Sequence, residues 1–194
     1  WDYSLAKLRS NELRTVLLDH RGCGQSSKDF LDMGINAIAS DVVALIETLG
    51  LQRVVVNGWS LGGAVVVEVA RQLENSCAGL VLTCGATPTY LQKPNFPCGG
   101  TEEALAETMT ALAADRINFL AALAQGVCSS EISQEQIHWM WRIFTEASPM
   151  AAQTLSELGP LDQRETLAQL SLPILSFVGT HDVIVDPDIC RNVK

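Results

Sequence analysis

The sequence predicts an α/β fold: a mostly parallel sheet with flanking helices, carrying a long helical insertion. Three observations predict it. Short apolar runs at residues 13–19, 54–56, 78–85 and 173–178 alternate with helix-compatible stretches. The early runs are joined by short β-α-β connections, which imply parallel pairing with helices on the sheet faces. From Thr101 to about Leu158 the pattern is helical and free of strand signals. With 194 residues, the chain is read as one domain with a sizeable core.

The elements follow in order. Residues 4–9 read as the end of a helix, with Leu5 and Leu8 on one face. Residues 13–19 read as a buried strand, followed by a sharp turn at 20–27. Gly22 and Gly24 begin a Gly-x-Gly pattern, but Ser27 stands where a third glycine would be and no helix opens there. A dinucleotide site is therefore not expected. Residues 36–49 form an amphipathic helix through Ile38, Val42, Leu45, Ile46 and Leu49, ended by Gly50. Asp41 and Glu47 read as its solvated face.

Val54, Val55 and Val56 read as a buried strand, and a helix runs from Leu61 to about Leu73. Between them sits Gly58-Trp59-Ser60-Leu61-Gly62. A serine on so tight a strand-to-helix turn has strained backbone and an exposed hydroxyl. The helix start beneath it aims N–H groups at any anion forming there. Glycines two residues either side are expected to leave room for the crossing chain. A nucleophilic serine needs that exposure and those donors.

Residues 78–85 are the next strand. Pro88, Pro94, Pro97, Gly99 and Gly100 mark a linker or loop. Thr101 is a plausible N-cap, with Glu102 and Glu103 in the first turn. Ile117, Leu120 and Leu123 or Ala124 make one apolar stripe. Ile137, Trp139, Met140, Trp141, Ile143 and Phe144 make a second cluster, which either packs helices or lines an apolar pocket. Residues 161–170 read as a short helix. Residues 173–178 read as a buried strand ended by Gly179-Thr180-His181-Asp182. Asp19, Ser60, Gly85 and Asp182 all fall at carboxyl ends of strands, where parallel sheets place ligands.

The formal charge of −9 argues against nucleic acid and anionic membrane surfaces as partners. No apolar run approaches the roughly 20 residues needed to span a bilayer, and no signal peptide is read at the start, so a cytoplasmic location is expected. The six cysteines lack Cys-x-x-Cys or zinc spacing and read as scattered reduced thiols. His20, His138 and His181 lie far apart, so neither a metal nor a cofactor is expected. The sequence does not show the oligomeric state.

Three ordered motifs resemble the α/β-hydrolase superfamily: the 19–26 turn (Asp-His-Arg-Gly-Cys-Gly-Gln-Ser), the 58–63 elbow (Gly-Trp-Ser-Leu-Gly-Gly) and the 179–182 Gly-Thr-His-Asp. Trp1 resembles the tryptophan that opens the family's first helix. The elbow is similar to that of small carboxylesterases, including the pimeloyl-carrier-protein methyl esterase. The stretches 115–119 and 147–149 resemble the cofactor-free chloroperoxidase and perhydrolase branch. The resemblance implies an α/β-hydrolase core over 1–194 with a helical cap at about 87–158. It implies Ser60 as nucleophile, Asp182 as triad acid, the Leu61 N–H as oxyanion donor, Trp59 as a substrate contact, and a small-molecule ester as substrate.

Two of the family's parts have no counterpart in the sequence. The triad histidine follows the acid by a further helix and strand, and the second oxyanion donor precedes the first helix. The expectation is an incomplete core, inactive as it stands. The alternative is a non-catalytic relative that binds a ligand or partner. The family also sets one further strand between residues 13–19 and the Ser60 strand. Without it, residues 13–19 are expected either to detach from the sheet or to slide beside Ser60's strand, leaving open edges and apolar faces prone to aggregation. The apolar cap predicts a hydrophobic or aromatic ester.

Overall fold

A computed structural model describes residues 1–8, 13–128 and 131–193. Its sheet has three parallel strands in the order β1 (Val54–Trp59), β2 (Cys77–Thr83) and β3 (Ile174–Phe177). In register, Trp59 lies opposite Thr83 and Thr83 opposite Phe177. The carboxyl ends of all three strands are thus level along one edge of the sheet.

Helices α2 (Ile35–Thr48) and α3 (Leu61–Leu73) pack on each other and, through α3, on β1 and β2. Their contact with Val56, Leu80 and Leu82 makes the core. Side chains alternate along β1, so Val56 and Gly58 are buried while Val55 and Trp59 turn to the opposite face. That face is uncovered among the described residues: Val55 is 59% exposed and Phe177 54%.

Local signals form where the sequence placed them. Gly50 ends α2 with φ +59, its N–H on Glu47 O and the Leu51 N–H on Ile46 O, both at 3.0 Å. This pair is a Schellman motif, and it needs the left-handed residue that glycine supplies. Thr101 caps α4 (Glu102–Ala114) by accepting from the Ala104 N–H. Asp115 caps α5 (Arg116–Gly126), and Ser133 with Gln136 makes a capping box at the start of α6 (Gln134–Thr145). Helices α7 (Ala152–Ser156) and α8 (Arg164–Gln169) lead into β3, and α9 (Pro187–Arg191) follows it. Helix α1 (Asp2–Leu8) opens the chain. Arg9, the end expected for it, lies outside the described residues.

Three expectations are corrected. Residues 13–19 are not a buried strand. They are irregular, Leu13 is 68% exposed, and they lie outside the sheet. A strand is held by its ladder, and this segment makes none, although β1 lies at the sheet edge with its outer side unpaired. Of the two outcomes expected for this segment, detachment is the one found. The solvated-face reading of Asp41 is incomplete, because its side chain is 39% exposed but also paired. It grips the Arg21 guanidinium with two 2.6 Å bonds, while Arg21 also donates to Asp32 O and lies over the Phe30 ring. The 87–100 stretch is more ordered than a linker. Thr87, Thr89, Leu91 and Phe96 are buried, and bridges join Leu91 to Gly100 and Lys93 to Phe96.

The insertion is locked to the core by polar contacts. Glu157, just past α7, accepts the Ile35 N–H at 2.7 Å and so caps α2, whose own N-cap Gly34 has no side chain. Gln153 accepts the Met33 N–H at 2.9 Å. The fully buried Gln163 donates to Ala64 O at 2.9 Å, accepts from the Thr87 hydroxyl at 2.8 Å, and gives its own N–H to Pro88 O. Gln163→Leu keeps the volume but strands the Thr87 hydroxyl, so it lowers unfolding free energy by about 2 kcal/mol in a denaturant titration. A loss under a few tenths of that would show the network to be unimportant.

Candidate active site

Ser60 follows β1 directly and serves as the N-cap residue of α3, with φ +52 and ψ −122. A non-glycine residue holds this backbone only when its surroundings impose it. Here they do so on both sides. The Ser60 N–H donates to Thr83 O at 3.0 Å, and the Ser60 carbonyl accepts from Gly63 and Ala86, each at 2.8 Å. The turn is therefore riveted to β2 and to the chain beyond it. Leu61 opens α3, so its N–H is one that the helix itself leaves unpaired beside Ser60. Trp59 sits on the uncovered sheet face, 41% exposed.

The glycines divide their work differently from the sequence expectation. A Cβ at Gly58 would lie 2.0 Å from Gly62 O, and one at Gly63 would lie 2.6 Å from the Gly85 α-carbon. At Gly62 a Cβ meets nothing within 4 Å. The close crossing is made by Gly63 against Gly85, not by Gly62.

Asp182 stands in the turn after β3. Its Oδ1 accepts the N–H groups of Ile184 and Val185, both at 2.9 Å, and its own N–H donates to Gly179 O. The Tyr90 hydroxyl donates to Ile184 O at 3.1 Å, and Asp186 accepts the Gly99 N–H at 2.9 Å. Both contacts tie this turn to the loop after β2. Ser60 and Asp182 thus follow strands that end at the same sheet edge, two strand spacings or about 10 Å apart.

The histidines stay apart from this pair. Among the described residues, none of the three hydrogen-bonds to Ser60 or Asp182. His20 makes a long 3.4 Å contact with Arg21 O, and burial lowers its pKa. His138 and His181 are exposed. The thiols near the Asp182 turn are held protonated. Burial raises both Cys84 and Cys190, Cys190 to about 11.

The insertion helices carry much of their apolar surface in the open. Helix α6 packs on α5 and is pinned by Trp141 Nε1 donating to Ile117 O at 3.2 Å, yet it has no buried residue. Of the expected stripe on α5, Leu120 and Ala124 are buried but Ile117 is 51% exposed. A groove of about 380 Å³ between α4 and the turn at 156–160 is lined by Leu91, Leu105, Ala106, Met109 and Pro160, and none of the α6 aromatics reaches it. Among the described residues, no helix is long and apolar enough to cross a membrane.

Sequence reasoning located Ser60, Leu61, Gly85 and Asp182 at this edge but missed Cys84 and Tyr90. Their only signal was position at or just past the end of the 78–85 strand. Comparison with known proteins adds the wider context. A Streptomyces lividans non-heme chloroperoxidase is 28% identical over 95% of this chain and 70% of its own length. A Nitrosomonas europaea pimeloyl-[acyl-carrier protein] methyl ester esterase is 30% identical, over 95% and 72%. The solved esterase of Exiguobacterium antarcticum superposes with a TM-score of 0.86 at 22% identity. It covers 90% of this chain, and the chain spans 66% of that structure. The family model described as alpha/beta hydrolase fold matches residues 1–194 in full, and the chain belongs to that family.

Proposed function

We propose that this chain is the nucleophile- and acid-bearing part of a serine hydrolase of carboxylic esters. The observation that carries the reading is Ser60, held at φ +52 by bonds at both its N–H and its carbonyl. That backbone sets the hydroxyl at the N-terminus of α3. Ser60 Oγ attacks the ester carbonyl, its proton passing to a histidine, and the Leu61 N–H receives the oxyanion. The alcohol departs with that proton. Water then attacks the acyl-enzyme, giving up a proton to the same histidine, and releases the acid and Ser60. Asp182 orients the histidine.

Among the described residues, none of the three histidines hydrogen-bonds to Ser60 or Asp182. The base is therefore assigned to chain outside these residues, and the 194 residues alone are expected to be nearly inert. The names of the two curated relatives accord with acyl transfer to water or to peroxide. Trp59 and Trp139 of α6 favour a hydrophobic ester, with residues from about 87 to 158 acting as the cap over it.

A fluorophosphonate probe tests this on the native full-length polypeptide. The expected result is one adduct, on Ser60 by peptide mass spectrometry, with faster turnover of long-chain and aryl p-nitrophenyl esters than of charged ones. Absence of an adduct would favour a non-catalytic binding protein instead. A preference for charged esters would remove the substrate class while leaving the nucleophile in place.

A further inference from the structure

We propose that Cys84 is a positioning residue for the Asp182 carboxylate, an inference that rests on the acid role given to Asp182 above. Cys84 is the first residue past β2, the strand between the one leading to Ser60 and the one preceding Asp182. Its backbone is left-handed, with φ +46, and its N–H donates to Phe177 O at 2.9 Å. An ordinary L-residue does not choose that conformation, so the β2–β3 junction imposes it.

The junction directs the thiol at the acid. A Cβ placed on Gly179 would stand 3.3 Å from Cys84 Sγ, 3.4 Å from Asp182 Cβ and 3.8 Å from Asp182 Oδ2. Thiol and carboxylate thus flank one bare α-carbon, where any side chain on residue 179 would stand between them.

The two carboxylate oxygens differ. Oδ1 is occupied by the Ile184 and Val185 N–H groups. Oδ2, toward Gly179, is the oxygen left to receive an imidazole N–H. Burial above all raises the Cys84 thiol, against a lowering by the Gly179 backbone and with a further rise from the Asp182 charge, so the sulfur is a donor facing an acceptor. The other titratable groups that sense Asp182 are Tyr90 and Cys190, with Asp186 farther along the same turn and also near Cys190. None of these is a cation. The negative charge is therefore steadied by N–H and S–H dipoles, and a weak S–H donor sets the direction of Oδ2 without quenching it.

The test uses Cys84→Ala, Cys84→Ser and Asp182→Asn in the native full-length polypeptide, assayed on an activated ester across pH. Alanine and serine keep a Cβ, so neither alters the cost of the left-handed backbone. Losing the S–H donor leaves the carboxylate a stronger partner for imidazolium. The acid limb of kcat/KM then moves up by about 0.3 pH unit in Cys84→Ala. Serine donates more strongly, and its limb moves down. In both, kcat falls severalfold with KM little changed.

Limbs that stay in place in both variants, beside an Asp182→Asn loss of about 10⁴-fold, would overturn the role of Cys84 alone. An Asp182→Asn variant within tenfold of the parent would overturn the acid assignment itself, and this inference with it.

Discussion

Ser60→Ala in the native full-length polypeptide is expected to lower kcat for an activated ester by on the order of a million-fold, with KM close to the parent's. Alanine removes the one oxygen that forms the acyl-enzyme and touches nothing else in the turn. The bonds that hold residue 60 are all backbone: N–H to Thr83 O, and carbonyl to the Gly63 and Ala86 N–H groups. The fold should therefore survive unchanged. A companion variant separates chemistry from strain. Ser60→Gly loses the same activity but relieves φ +52, and should gain about 1 kcal/mol of stability. Turnover in Ser60→Ala within tenfold of the parent would mean that another group is the nucleophile. A Ser60→Gly variant no more stable than Ser60→Ala would mean the turn is not strained.

The second large effect falls on two neighbouring glycines and spares a third. Gly63→Ala would drive a methyl to 2.6 Å from the Gly85 α-carbon, and Gly58→Ala would drive one to 2.0 Å from Gly62 O. Both obstacles are backbone, Gly62 in α3 and Gly85 just past β2, so neither can swing aside as a side-chain end would. Each substitution should destabilise by more than about 4 kcal/mol, enough to abolish cooperative unfolding in a thermal melt. Gly62→Ala meets open space and should melt near the parent's temperature. Equal tolerance at all three positions would show that the helix-to-strand crossing is looser than drawn here.

Features whose causes lie within a few residues were legible in the chain itself. The elbow is a strand, a tight turn and a helix in one run from Val54 to Leu73. The Gly50 cap and the Thr101 cap each need only the adjoining helix turn. The order of elements, with strands alternating with helices around a helical insertion, was legible for the same reason. Hydrophobic period is a local property that survives into the fold.

The tertiary structure decided whatever depends on a partner distant in the chain. Residues 13–19 have the composition of a buried strand, but pairing is a property of two strands, and this segment forms no ladder with the sheet. Gly62 and Gly63 are equivalent in sequence terms, and only the approach of Gly85 makes one of them indispensable. The N-terminus of α2 lacks a capping side chain of its own, and Glu157 supplies it from 122 residues away. Cys84 and Asp182, 98 residues apart, meet only because β2 and β3 are neighbours and end at the same level. In each case the deciding term is a steric or hydrogen-bonding contact that exists only once the sheet has set two distant segments side by side.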